Sequence, residues 1–140
     1  MEPEYAIEAA KRPLVLIVDD DPEFGTMLQI DLKNEGYGVI CVGEAMTALR
    51  LVQETHPELI VTDINMPGVD GFSMVASLQQ HPEFSQTPVI FVSGIAAGDY
   101  LPPPTSGPVR LALVRKPVEV EALNKLISHF IHREPNHPPL

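Results

Sequence analysis

Five short apolar runs, separated by amphipathic segments, constrain the fold of this chain more than any other feature. They cover Leu14 to Val18, Val39 to Val42, Leu59 to Val61, Val89 to Val92 and Leu111 to Val114. None alternates polar with apolar residues, as a strand with one face in water would, so each is typical of a strand buried on both faces. Strands of this kind occur in parallel sheets that carry helices on both sides.

The segments between these runs have apolar residues at helical spacing. Examples are Phe24, Leu28 and Leu32 after the first run, Ala45, Ala48, Leu49 and Val52 after the second, and Phe72, Val75 and Ala76 after the third. A stripe of Leu123, Leu126, Ile127, Phe130 and Ile131 predicts a closing helix. Strands that alternate with helices are joined by right-handed crossovers, so we predict an α/β fold with a doubly wound, five-stranded parallel sheet.

Polar residues gather where the predicted strands end. The first run is followed by Asp19, Asp20 and Asp21, the third by Asp63, the fourth by Ser93 and Gly94, and the fifth by Arg115, Lys116 and Pro117. Ligands of doubly wound sheets bind beyond the carboxyl ends of the strands. Carboxylates that converge there repel one another, and a hard divalent ion such as Mg²⁺, which prefers oxygen ligands, relieves the repulsion.

These residue types suit transfer of a phosphoryl group. A carboxylate such as that of Asp63 can attack phosphorus, while a metal ion and Lys116 stabilise charge on the phosphoryl oxygens. Each residue also has a plainer interpretation. The three consecutive aspartates could cap a helix that begins near Pro22, Lys116 could be a solvated charge, and Ser93 could be an ordinary turn residue.

Four stretches resemble the receiver domains of two-component response regulators. They are VLIVDDD at residues 15–21, VTDINMPGVDG at 61–71, FVSG at 91–94 and KP at 116–117, and the similarity runs from about Leu14 to Phe130. The resemblance implies a flavodoxin-like sheet with strand order 2-1-3-4-5. It divides the chain into an N-terminal extension at 1–12, a receiver domain at 13–133, and a tail or linker start at 134–140.

The resemblance also assigns roles to individual residues. It implies that Asp63 is the phosphoacceptor, and that Mg²⁺ is held by Asp19, Asp20, Asp63 and the main-chain carbonyl of Asn65. Asp21 then begins a helix, Lys116 contacts the phosphoryl group beside a cis Lys-Pro bond, and Ser93 is the switch hydroxyl. Side chains that tune the phosphoryl lifetime fall at Asn65 and Ile95, and the small Gly94 leaves the site accessible.

Two departures from the family affect the region that transmits the signal. The switch region comprises Ser93, Gly94 and Leu113, and Leu113 stands where receivers usually have an aromatic residue. The segment from Ile95 to Pro108 contains two glycines and four prolines, which predicts an irregular or missing fourth helix. We therefore expect phosphorylation to act by ordering or displacing this segment.

The function implied is that of a phosphorelay component that takes a phosphoryl group from a histidine kinase or a histidine phosphotransfer protein. Such a domain catalyses only its own phosphorylation and dephosphorylation, and it acts on a downstream protein target. One alternative is a pseudo-receiver, a binding module that signals without phosphorylation. Another is an aspartate-dependent phosphatase of the haloacid dehalogenase type, although the residues from Asp19 to Pro22 lack the Thr or Val expected after the second aspartate of that motif.

Composition narrows the partners and the location. A net charge of −10 argues against direct contact with nucleic acid, because phosphate contacts depend on clustered lysine and arginine. No uninterrupted apolar run is long enough to cross a membrane, so we expect a cytoplasmic protein with no membrane partner. A homodimer is one expected assembly. The single cysteine, Cys41, lies in an apolar run and is interpreted as core packing.

Overall fold

The computed structural model describes residues 12–66, 68–94 and 111–132. Five strands and four helices lie within these ranges. The strands are β1 (Leu14–Val18), β2 (Gly38–Val42), β3 (Leu59–Asp63), β4 (Val89–Ser93) and β5 (Leu111–Arg115). The helices are α1 (Pro22–Asn34), α2 (Ala45–Thr55), α3 (Gly71–Gln79) and α4 (Val120–His132). Each predicted strand and helix is therefore present.

All five strands are parallel and form one sheet in the order β2-β1-β3-β4-β5. The prediction of a doubly wound, flavodoxin-like sheet is confirmed. The chain reverses its winding direction between β1 and β3, where Val18 pairs with Thr62. Asp19 follows β1 and Asp63 ends β3, so these two aspartates lie side by side at the carboxyl edge of the sheet.

Two apolar clusters lie on opposite faces of the sheet, because successive side chains of a strand point to opposite sides. One face takes Leu16, Val18 and Ile60 and packs against α2 and α3. The other takes Val15, Ile17, Leu59 and Val61 and packs against α1 and α4. This two-sided burial explains why the strands are continuous apolar runs in the sequence.

Cys41 is half-buried on the face covered by α1, where it packs against the apolar cluster. A Cβ atom added to Gly25 of α1 would lie 2.7 Å from its Sγ atom, so the absence of a side chain at Gly25 lets α1 approach β2. Burial, and then the charge of Asp19, raises the pKa of the Cys41 thiol. Both observations agree with a packing role.

Some sequence predictions lie outside the described residues. They concern Ile95, the irregular fourth-helix segment at 95–108, the tail at 134–140, and all of the N-terminal extension except Arg12. The domain boundaries therefore stay predictions. Within the described ranges, no helix combines the length and the apolar character that a membrane span requires.

Candidate functional site

Three carboxylates converge at the carboxyl edge of the sheet. One carboxylate oxygen from each of Asp19, Asp20 and Asp63 lies within 4.8 Å of the other two. Asp19 and Asp63 are buried, while Asp20 is exposed. An all-oxygen donor set, open to solvent on one side, suits a hard cation that keeps part of its water shell, and Mg²⁺ has these preferences. The three carboxylates of the predicted ligand set are therefore brought together, and their chemistry fits the ion.

Asp19 is held in place by two hydrogen bonds. Its Oδ1 accepts the backbone N–H of Asp21 at 2.8 Å, and its Oδ2 accepts the ammonium of Lys116 at 3.0 Å. The side chain of Asp19 is only 1% exposed, so this ion pair is shielded from solvent on the carboxylate side. Lys116 thus compensates the buried negative charge of Asp19.

Asp21 is separated from this cluster by its role at the start of α1. Its Oδ1 accepts the backbone N–H groups of Glu23 at 3.0 Å and Phe24 at 3.4 Å, which makes it the N-cap of the helix. Pro22 occupies the first helical position, where its missing N–H costs nothing. Capping therefore accounts for one of the three consecutive aspartates and leaves Asp19 and Asp20 to the cluster, in agreement with the prediction that Asp21 starts a helix.

Asp63 occupies an electrostatically unfavourable position. Its Oδ1 accepts the backbone N–H of Asn65 at 3.3 Å, and its Oδ2 lies 3.7 Å from the Lys116 ammonium. Burial raises the pKa of Asp63, the charges of Asp19 and Asp20 raise it further, and Lys116 with the Asn65 N–H offsets only part of this shift. A divalent cation among the three carboxylates would remove the repulsion that Asp63 meets.

Lys116 bridges the two buried aspartates. Burial by itself would lower the pKa of Lys116, but the hydrogen bond and charge of Asp19, together with Asp63, outweigh it and raise the pKa. The backbone N–H of Lys116 donates to the carbonyl of Ser93 at 2.7 Å, so the ends of β4 and β5 are joined beside the cluster. The Lys116-Pro117 peptide bond is cis, as the family resemblance predicted.

Phe24 is a neighbour of Lys116 that the sequence reasoning did not identify. The Lys116 Nζ atom lies over its ring, 4.8 Å from the centroid. In the sequence, Phe24 showed only the helical spacing of an apolar residue facing the core. That pattern predicted its burial correctly, but it carries no information about contact with a residue more than 90 positions away.

Ser93 and Gly94 of the predicted switch region lie at the same edge, whereas Leu113 lies in the middle of β5, paired with Phe91. Ser93 is the buried last residue of β4 and pairs in register with Arg115 of β5. Gly94 is exposed, and a Cβ atom added to it would meet no atom of the described residues within 4 Å. Leu113 is half-buried on the face covered by α3, where it packs against the apolar cluster of that face.

The connection from β3 to α3 is built on two glycines. Gly68 has a φ of +83°, a left-handed conformation that favours glycine. A Cβ atom added to Gly71 would overlap the carbonyl oxygen of Asp63, and the N–H of Gly71 donates to the carbonyl of Ile64 at 2.8 Å. Asp70 caps α3 by accepting the N–H of Ser73 at 2.7 Å. The start of α3 is thereby packed directly on the backbone of Asp63.

Comparison with known proteins identifies a family. A sequence model of the response regulator receiver domain matches residues 15–128. The chain is 30% identical over 115 residues to the transcriptional regulatory protein AfsQ1 of Streptomyces coelicolor, covering 74% of this chain and 50% of that protein. It is 37% identical over 68 residues to the DNA-binding response regulator MtrA of Mycolicibacterium smegmatis, covering 49% of this chain and 30% of that one.

A solved structure has the same fold. The signal receiver domain of a signal transduction histidine kinase from Syntrophus aciditrophicus superposes with a TM-score of 0.78 at 24% identity, covering 91% of this chain and 96% of that one. The chain thus spans nearly all of an isolated receiver domain, and half or less of the length of AfsQ1 and MtrA.

Proposed function

The chain belongs to the response regulator receiver domain family, and from that premise we propose that it accepts a phosphoryl group on Asp63 with the help of Mg²⁺. The observation that carries the proposal is the convergence of Asp63 with two further carboxylates and the Lys116 ammonium at one sheet edge. No other set of His, Cys, Asp or Glu residues in the described ranges offers three such ligand atoms together.

The reaction follows from the surroundings of Asp63. One carboxylate oxygen attacks the phosphorus atom of a donor, a bond forms between that oxygen and phosphorus, and the bond from phosphorus to the donor breaks. The leaving group keeps the electron pair. Asp19, Asp20, Asp63 and the main-chain carbonyl of Asn65 would hold Mg²⁺, which would neutralise charge on the phosphoryl oxygens. Lys116, already 3.7 Å from Asp63, contributes the second positive charge.

The neighbouring residues complete the proposed cycle. The Ser93 hydroxyl turns toward the phosphoryl group, and the space left by Gly94 admits the donor and the hydrolytic water. The side chains of Asn65 and Ile95 set how long the acyl phosphate survives. Leu113 stands in place of the usual aromatic residue in the switch region. In this proposal the domain catalyses only its own phosphorylation and dephosphorylation.

The partners follow from the same chemistry. The phosphoryl donor is a histidine kinase or a histidine phosphotransfer protein in the cytoplasm, and the activated state is read by a protein target or by a second copy. The net charge of −10 opposes direct binding of the receiver itself to nucleic acid. AfsQ1 and MtrA are, by their names, a transcriptional regulatory protein and a DNA-binding response regulator, and this chain spans only part of each.

Intact mass spectrometry tests the proposal. The protein is incubated with Mg²⁺ and a small acyl phosphate, and it should gain the mass of one phosphoryl group. Asp63→Asn should abolish the gain, as should removal of Mg²⁺ by a chelator. The matched control is Asp70→Asn, the same substitution at an exposed helix-capping aspartate, which should leave the gain intact.

Three outcomes separate this proposal from its alternatives. A phosphoryl gain that persists in Asp63→Asn would disprove the assignment of Asp63. A wild-type protein that gains no mass from either an acyl phosphate or a phosphorylated histidine donor would be a pseudo-receiver. Continuous release of phosphate from small phosphoesters would indicate a phosphatase.

A further inference from the structure

The ring of Phe24 forms one side of the environment of the Lys116 ammonium. Lys116 Nζ lies over the ring at 4.8 Å from its centroid, inside the range of about 6 Å for attraction between a cation and an aromatic face. The side chain of Lys116 is 23% exposed and Phe24 is 8% exposed, so little water lies between them. The contact is therefore partly desolvated, which strengthens it.

The ammonium makes two different kinds of contact, one with carboxylate oxygens and one with an aromatic ring. Asp19 accepts a hydrogen bond at 3.0 Å, while the 3.7 Å separation from Asp63 is too long for one. The face of an aromatic ring attracts a cation through its quadrupole without accepting a directed hydrogen bond. An ammonium on the ring can therefore exchange one oxygen partner for another without losing the contact.

We propose that Phe24 is a positioning residue for Lys116, holding the ammonium where it can pass from Asp19 to a phosphoryl group on Asp63. The proposal rests on the proposed phosphorylation of Asp63. It assigns a role to a residue that helix periodicity marks only as core. An aliphatic side chain of similar size would fill the same space, but it has no aromatic face, so the ammonium would lose its cation–π attraction at this position.

Local hydrogen bonds fix the position of Phe24 relative to the acidic cluster. Phe24 lies in the first turn of α1, and its backbone N–H is one of the two donors capped by Asp21. Asp19 binds the backbone N–H of Asp21 in turn. A segment of six residues, 19–24, therefore contributes two carboxylates of the cluster, the helix cap and the aromatic contact to Lys116.

Nuclear magnetic resonance tests the contact itself without any phosphorylation. A ring face near the ammonium shifts the Hε protons of Lys116 upfield through its ring current. We expect this shift in the wild-type protein, its loss in Phe24→Leu, and its retention in Phe24→Tyr, which keeps an aromatic face. A wild-type Lys116 with ordinary Hε shifts, or an upfield shift that survives in Phe24→Leu, would overturn the proposal.

The rate of phosphorylation tests the consequence of the contact. With saturating Mg²⁺ and a small acyl phosphate, Phe24→Leu should be about three- to tenfold slower than wild type, which corresponds to a contact of ordinary cation–π strength. Replacing Phe24 with phenylalanines that carry one, two or three ring fluorines keeps the shape and weakens the quadrupole. The rate should fall stepwise along that series, so the proposal stays testable even where leucine perturbs folding.

Phe130→Leu is the matched control. Phe130 belongs to the same apolar cluster and is 9% exposed, against 8% for Phe24. It follows Val120, the first residue of α4, by ten positions, or about 15 Å along the helix axis, toward the opposite edge of the sheet. Its substitution should leave the phosphorylation rate near that of wild type.

The outcomes separate the two proposals. If Phe24→Leu is slowed no more than Phe130→Leu, or if the fluorinated series shows no trend, Phe24 is only a core residue and its positioning role is wrong. If wild type shows the ring-current shift but gains no phosphoryl group from any donor, the proposed function fails while the contact between Phe24 and Lys116 stands.

Discussion

Replacing Gly71 with alanine would press a side chain against the backbone of the phosphoacceptor. An added Cβ atom would overlap the Asp63 carbonyl oxygen and approach the Ile64 Cα atom to 3.1 Å. These are main-chain atoms of the last residue of the central strand β3 and of the residue after it, so no side-chain rotation can relieve the overlap. Either β3 must bend at its end, or the start of α3 must lift from the sheet.

The expected loss of stability combines three contributions. Inserting a methyl group into a packed region costs about 1–3 kcal/mol. Weakening the hydrogen bond from Gly71 to Ile64 costs about 1 kcal/mol more, and the better helix propensity of alanine returns up to about 1 kcal/mol. The net loss in the free energy of unfolding is about 1–3 kcal/mol. For a domain of this size, it lowers the melting temperature by roughly 4–12 °C.

Gly94→Ala is the control, because a Cβ atom added there meets no atom of the described residues within 4 Å. We expect its stability to stay within about 0.5 kcal/mol of wild type. Urea denaturation followed by circular dichroism would compare the three proteins, and acyl phosphate labelling would show whether Asp63 still reacts. Equal stabilities for Gly71→Ala and Gly94→Ala would refute the close-packing argument.

Three further predictions concern the acidic cluster and the packing beside it. Without divalent cations, Asp63→Asn should melt at a higher temperature than wild type near neutral pH, because burial and Asp19 raise the pKa of Asp63 and its ionisation therefore destabilises the fold. Thermal melts should show this difference in melting temperature shrinking as the pH falls toward the ordinary pKa of 3.8. A difference that does not change with pH would contradict this cause. Asp21→Ala should lower the free energy of unfolding by about 1 kcal/mol through loss of the α1 cap and leave the magnesium affinity near normal. Asp20→Ala should lower the magnesium affinity and leave the stability near normal. Urea denaturation and calorimetric titration measure the two quantities, and equal losses of affinity in the two variants would refute the separate roles of Asp20 and Asp21. Gly25→Ala should cost about 1 kcal/mol less stability in a Cys41→Ala background, because removing the thiol opens the space that the new alanine Cβ needs. Additive effects of the two substitutions in a double-mutant cycle would disprove the contact.

The sheet and the acidic edge could be predicted because their signals are local. Each strand is an apolar run. A polar residue at the end of such a run, such as Asp63 or Ser93, can be assigned to the carboxyl edge from its position alone. The N-cap role of Asp21 is also local, since it depends on the next three residues.

Contacts across the fold could not be predicted in this way. The approach of Phe24 to Lys116 depends on how α1 sits against the end of β5, and nothing near either residue in the sequence records it. The close packing of Gly71 on Asp63 has the same origin: a glycine that follows Asp70 indicates a turn, but not which backbone it touches. The apolar run around Cys41 predicts a core position, yet the side chain is only half-buried because β2 is an edge strand.

The sheet divides the protein into two separately packed halves. The side chains of Leu16 and Ile17 are neighbours in the chain, but one faces α2 and α3 while the other faces α1 and α4. Substitutions on opposite faces share few side-chain neighbours, so their energetic effects should add. Substitutions on one face can therefore accumulate without compensating substitutions on the other face. The residues at the carboxyl edge lie where the two faces meet, so changes there affect the packing of both.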